Sequence, residues 1–142
     1  MQARAALLPA LVAALLIAGC GPAAGGDTTG DFTGPAREVA ATVEALQEAA
    51  AARDAQRICG QLLAREVLDR MRAAGTSCAP AVEDALLSAD VTELTVREGQ
   101  VRVQGRRAAA RVAVGTGENP TVTTFRLVRA PDGWRITGFE GV

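Results

Sequence analysis

The feature that most constrains the fold of this 142-residue chain is a change of hydrophobic period near Asp90. Before Asp90, apolar residues recur at helical spacing, as they do at Val39, Val43, Leu46 and Ala50. After Asp90, apolar and polar residues alternate, which is the period of a half-buried strand. Helices followed by strands with short connections predict an α+β fold, with N-terminal helices packed on one face of an antiparallel sheet.

Capping and turn residues predict where the helices and strands of each half begin and end. Pro35 suits the first turn of a helix, Asp54 suits an N-cap, and Gly75 suits a helix C-cap, with a break expected near Ala64. A short helix is expected to follow Ser77. In the second half, turns are expected at 98–100, 105–107 and 131–133, with a longer loop at 115–120. The strands between them form an antiparallel meander.

The N-terminus has the layout of a secretory signal. Arg4 supplies a positive charge, residues 5–16 are almost wholly apolar, and Ile17, Ala18, Gly19 and Cys20 follow. The apolar run is shorter than the roughly 20 residues that a membrane-spanning helix needs. The four residues ending in Cys20 resemble the bacterial lipobox. This resemblance implies cleavage after Gly19 and a lipid on the Cys20 thiol, and the alternative is an ordinary signal peptide with an incidental cysteine.

These signals predict three regions. Residues 1–19 are expected to be a lipoprotein signal peptide, and residues 20–34 a lipid-anchored flexible tether rich in Gly, Thr and Asp. Residues 35–142 are expected to form one domain. The predicted location is therefore the extracytoplasmic face of the cell membrane, with the membrane itself contacted through the N-terminal lipid.

Cys59 and Cys78 remain once Cys20 is lipidated. In an oxidising compartment an even pair of cysteines most simply forms a disulfide. A zinc site would lack ligands, because the chain has no histidine, and a catalytic thiol would lack a base for the same reason. The sequence therefore predicts a structural bridge between the second helical segment and the following short helix.

Composition argues against several kinds of chemistry. All 15 basic residues are arginine, and the chain has neither histidine nor tyrosine. The formal net charge of −1 predicts no strong overall field toward nucleic acid or an anionic membrane. Arg97, Arg102, Arg106, Arg107 and Arg111 form a basic stretch around one hairpin, and we interpret them as the polar face of a half-solvated sheet. A protein partner or an anionic ligand on that face remains open.

Three segments resemble the NTF2-like superfamily in its secreted or lipid-anchored actinobacterial form. They are residues 54–63 at the first helical junction, residues 75–79 before the short helix, and residues 125–136 with the turn and Trp134. The resemblance implies a cone in which helices close a curved antiparallel sheet. Enzymes of that superfamily place an acid or histidine, often with tyrosine, inside the cone. This chain departs from that pattern.

We therefore expect a non-catalytic binding or interaction domain, with no catalytic, cofactor-binding or metal-binding residues. The alternative is a small-molecule pocket protein, a ligand carrier or one with weak isomerase- or hydrolase-like chemistry. An envelope protein and an apolar small ligand are the candidate partners, and nucleic acid is excluded by the compartment. If the cone holds a cavity, the expected lining is Val101, Val103, Val112, Val114, Phe125 and Trp134.

Overall fold

The computed structural model describes residues 32–88, 93–115 and 118–141. The predicted signal peptide, the lipidation site at Cys20 and most of the predicted tether lie outside these residues. Phe32 is described, and its side chain is buried in the core. Phe32, which lies within the predicted tether, therefore contributes to the core of the described residues. Among the described residues, no helix combines the length and hydropathy needed to cross a membrane.

The first helix, α1 (Gly34–Ala51), has Pro35 in its first turn as expected and buries one face. Its apolar stripe places Val39, Ala40 and Val43 against the sheet. The helix ends before Asp54, whose side chain accepts a hydrogen bond from the backbone N–H of Arg57 at 2.9 Å. The predicted N-cap is thus confirmed, and it opens the short helix α2 (Ala55–Arg57).

The helical half is interrupted after α2. A π-helical turn (Ile58–Leu62) follows α2, and the chain becomes extended at Leu63 and Ala64, where the sequence predicts an interruption. Leu63 forms a parallel bridge to Ile136, and the Ala64 N–H donates to the Ile136 carbonyl at 2.8 Å. Helices α3 (Arg65–Ala73) and α4 (Cys78–Ser88) complete this half, with Gly75 at a φ of 76° after α3.

The second half is a four-stranded antiparallel meander in the order β1-β2-β3-β4. Its strands are β1 (Leu94–Gln104), β2 (Arg107–Val114), β3 (Thr121–Ala130) and β4 (Gly133–Gly141). The α+β class and the antiparallel meander predicted from the sequence are confirmed. One face of the sheet carries buried side chains such as Val112, Leu127 and Ile136, which pack against α1.

The expected turn at 98–100 is wrong. The chain passes through these residues as one strand, β1, and the register with β2 shifts between Val96 and Val101. Gly99 has a φ of 79°, a conformation that glycine adopts without the steric penalty of a Cβ. Three extra residues of β1 are absorbed as a bulge, so Val96 and Val101 both keep their side chains on the buried face.

Candidate functional site

A cleft of about 400 Å³ opens at the end of the sheet where β1 begins and β2 ends. The strands contribute Leu94, Val114, Thr123, Phe125 and Phe139 to its wall. The helical half contributes the end of α1, the π-helical turn, α3 and α4. We call this space the apolar cleft.

Hydrocarbon and aromatic groups make up nearly all of this wall. Among the described lining residues, Thr123 supplies the one polar side chain. Phe125 and Phe139 meet edge to face with ring centroids 4.7 Å apart, and Phe139 remains 54% exposed. A surface of this kind binds by excluding water from apolar groups and offers no group for proton transfer.

Helix α4 forms one side of the apolar cleft through Ala81, Val82, Ala85 and Leu86. None of its residues is fully buried, and Val82 and Leu86 pack partly buried against the core. A disulfide between Cys59 and Cys78 joins its first residue to the π-helical turn, with the two Cα atoms 6.0 Å apart. The bridge predicted from the sequence is thus present, and it fixes α4 at the edge of the cleft.

The predicted lining is divided between two ends of the molecule. Val114 and Phe125 line the apolar cleft, whereas the side chain of Val112 is fully buried in the core and does not line the cleft. Val101 and Val103 are half-buried against the core and do not reach the cleft. They belong to the end of β1, whereas the cleft lies at its beginning.

Trp134 lies at the other end of the sheet from the apolar cleft, where it is buried. Its indole N–H donates to Glu38 Oε2 at 3.2 Å, and Arg129 pairs with the same oxygen at 2.9 Å. The Arg129 guanidinium also lies 5.7 Å from the Trp134 ring centroid, within cation–π range. Trp134 contributes to a separate cleft of about 360 Å³, with Arg57 and Arg135, whose wall mixes polar and apolar groups. It therefore anchors α1 to the sheet and does not line the apolar cleft.

Among the described residues, no charged side chain is buried, so every carboxylate lies outside the core. Glu140 is exposed and forms a two-bond ion pair with Arg126, both at 2.7 Å. Hydrogen bonding from Arg126 lowers the pKa of the Glu140 carboxyl, and hydrogen bonding from Arg135 lowers the pKa of Asp132. Both acids are therefore held in the charged form, which is unsuited to a general acid near neutral pH.

Among the described residues, no group of three His, Cys, Asp or Glu side chains comes together to hold a metal ion. The lining expected from the sequence contains none of the helical residues of the apolar cleft and neither Leu94 nor Thr123 of the strands. The signal for α4 was its pair of apolar residues one turn apart, Val82 and Leu86, which together with Ala81 and Ala85 face the cleft.

Comparison with known proteins gave no match: no family model fits the chain, and no curated protein or solved structure is significantly similar to it.

Proposed function

We propose that the chain is an extracytoplasmic lipoprotein whose NTF2-like domain binds an apolar ligand without catalysing a reaction. The observation that carries this proposal is the apolar cleft, about 400 Å³ in volume and lined almost wholly by hydrocarbon and aromatic groups. A volume of this order is typical of sites for small molecules. The cell membrane and an envelope protein remain the proposed neighbours of the domain.

The order of elements supports the NTF2-like assignment within this proposal. Helices precede the strands, α1 packs across the antiparallel sheet, and a cleft opens between the sheet and the remaining helices. The assignment concerns architecture alone, because one fold accommodates many unrelated functions.

The alternative, a pocket protein with weak isomerase- or hydrolase-like activity, shares the open cleft with our proposal. It also needs a carboxylate facing the ligand with a pKa raised by burial. Asp54 serves as an N-cap, and Glu140 is exposed and ion-paired. The described lining contains no acid. Binding without catalysis is therefore the function that this site supports best.

A charge placed in the apolar cleft should strongly weaken binding of an apolar probe. We expect the dye N-phenyl-1-naphthylamine to bind the protein saturably, with a rise in fluorescence. Leu86→Asp should weaken this binding about tenfold or more, because a carboxylate resists transfer to an apolar site. Leu86 is only half-buried, so the variant should still fold.

Leu87→Asp is the matched control for this experiment. Leu87 is the next residue of α4, is 70% exposed and does not line the apolar cleft. We expect it to bind the dye as the unaltered protein does. Equal loss in both variants, or no saturable binding in the unaltered protein, would argue against the apolar cleft as a ligand site.

Lipidation at Cys20 is expected on the pattern of Ile17, Ala18, Gly19 and Cys20. The intact mass of the mature protein should show loss of residues 1–19 and the added mass of acyl chains, with the protein in the membrane fraction. Cys20→Ala should release it, because stable anchoring needs two acyl chains or an equivalent second signal. An unmodified Cys20 thiol in native material would contradict the prediction.

A further inference from the structure

The N-terminal end of α1 lies at the end of the domain opposite the apolar cleft. Phe32 lies in the core just before α1, and Glu38 in the first turns of α1 bonds Trp134 and Arg129. Trp134 and Arg129 flank the β3–β4 turn, and the β1–β2 turn lies at the same end of the sheet. The other end of α1 contributes Leu46 and Ala50 to the apolar cleft.

Positive charge is concentrated at the end of the domain that holds the β1–β2 and β3–β4 turns. Six arginines lie in the described segments 34–42, 101–109 and 127–135, and we call them the arginine end: Arg37, Arg102, Arg106, Arg107, Arg129 and Arg135. The same segments contain two carboxylates, Glu38 and Asp132, which pair with Arg129 and Arg135. An excess of four positive charges is thus gathered at one end of a chain whose formal net charge is −1.

Four of these arginines are available to a partner. Arg37, Arg102, Arg106 and Arg107 are exposed, and no carboxylate among the described residues pairs with them. Arg106 donates to the Arg129 carbonyl at 3.0 Å, which ties the two turns together. Guanidinium groups bind phosphate oxygens in a two-bond geometry, so this surface suits phosphate-bearing headgroups.

We infer that the arginine end rests on the anionic lipid surface to which the chain is anchored. The inference depends on the lipid anchor of the proposed function. The 12 Cα–Cα steps from Cys20 to Phe32 reach at most about 40 Å, so the anchor keeps this end close to the headgroups. Each arginine near an anionic surface adds an attraction that salt weakens.

This docking fixes the orientation of the domain. Helix α1 has 18 residues and is therefore about 27 Å long, and it separates the arginine end from the apolar cleft. With the arginine end on the headgroups, the apolar cleft faces away from the membrane. The ligand then enters from the aqueous side and not from the bilayer beneath the domain.

The test measures binding of the full chain carrying Cys20→Ala to vesicles, so that no lipid is attached. Binding to vesicles with equal parts phosphatidylglycerol and phosphatidylcholine should exceed binding to pure phosphatidylcholine by about tenfold or more, and should fall as salt is added. Any binding through the apolar residues 5–16 is common to both compositions, so the difference reports headgroup charge.

Charge-reversal variants locate the contact. Arg106→Glu with Arg107→Glu should remove the preference for anionic vesicles, and so should Arg37→Glu with Arg102→Glu. The control is Arg53→Glu with Arg65→Glu, two exposed positions outside the arginine end that change the net charge equally. This control should keep most of the preference. Thermal unfolding of each variant confirms that it is folded.

The inference would be overturned if the protein showed no preference for anionic vesicles, or if the control variant lost that preference as fully as the other variants. It would also be overturned if the protein bound polyglutamate but showed no preference for anionic vesicles. That last result would assign the arginine end to an acidic protein partner. These results are separable from the proposed function, because lipidation is read from the mass of native protein and cleft binding from the dye. A chain without lipid in the cell could still show the vesicle preference measured with Cys20→Ala.

Discussion

Leu127→Ala is expected to lower the free energy of unfolding by about 2–5 kcal/mol. Leu127 is among the largest fully buried side chains, on β3 between Ala108 of β2 and Ile136 of β4. Truncation removes buried hydrocarbon and leaves a cavity that a closely packed core fills only in part. Because a domain of this size has a total stability of about 5–15 kcal/mol, urea unfolding should show a much lower midpoint.

Val128→Ala provides the matched control for this truncation. Val128 is the next residue of β3, points to the opposite face of the sheet and is half-buried. We expect a loss well below that of Leu127→Ala, because less surface is withdrawn from water there. If the two variants unfolded at the same urea concentration, the assignment of the buried face of the sheet would be wrong.

Removal of the Cys59–Cys78 disulfide should also lower the free energy of unfolding strongly. The bridge closes a loop of sequence separation 19, and its loss by Cys59→Ala with Cys78→Ala should lower stability by about 3 kcal/mol in the chain-entropy model. Reductant should lower the thermal midpoint of the unaltered protein similarly. Reductant added to the double variant should change nothing further.

The same variant should weaken dye binding to the apolar cleft. Helix α4 has no buried residue, so the bridge at Cys78 is a main constraint on its position. Amide hydrogen exchange should therefore quicken in α4 more than in α1, whose Val39 and Val43 are buried. An unchanged midpoint together with unchanged exchange in α4 would contradict this role for the disulfide.

Much of the fold follows from signals that act over a few residues. The stripe of Val39 and Val43 predicts α1, because a helix in a small domain must bury its apolar face. Asp54 predicts the start of α2 because its carboxylate satisfies a backbone N–H. The pairing of Cys59 with Cys78 follows from the number of cysteines and the inferred compartment.

The parts that sequence reasoning missed depend on distant residues. The residues around Gly99 have the local pattern of a turn, and only the pairing of β1 with β2 shows that three extra residues are accommodated within one strand. The apolar cleft is lined by both α4 and Phe139, which are far apart in sequence. Trp134 was misplaced for the same reason, since its partner Glu38 lies 96 positions earlier.

The contact between Trp134 and Glu38 also has a spectroscopic consequence. Trp134 is the single tryptophan of the chain, so its emission reports one place, the junction of α1 with β3 and β4. Opening of that junction would expose the indole to water and shift its emission to longer wavelength. Loosening of α4 at the far end would leave this signal unchanged. Tryptophan emission and far-ultraviolet circular dichroism should therefore coincide during unfolding only if the two ends of the domain lose structure together.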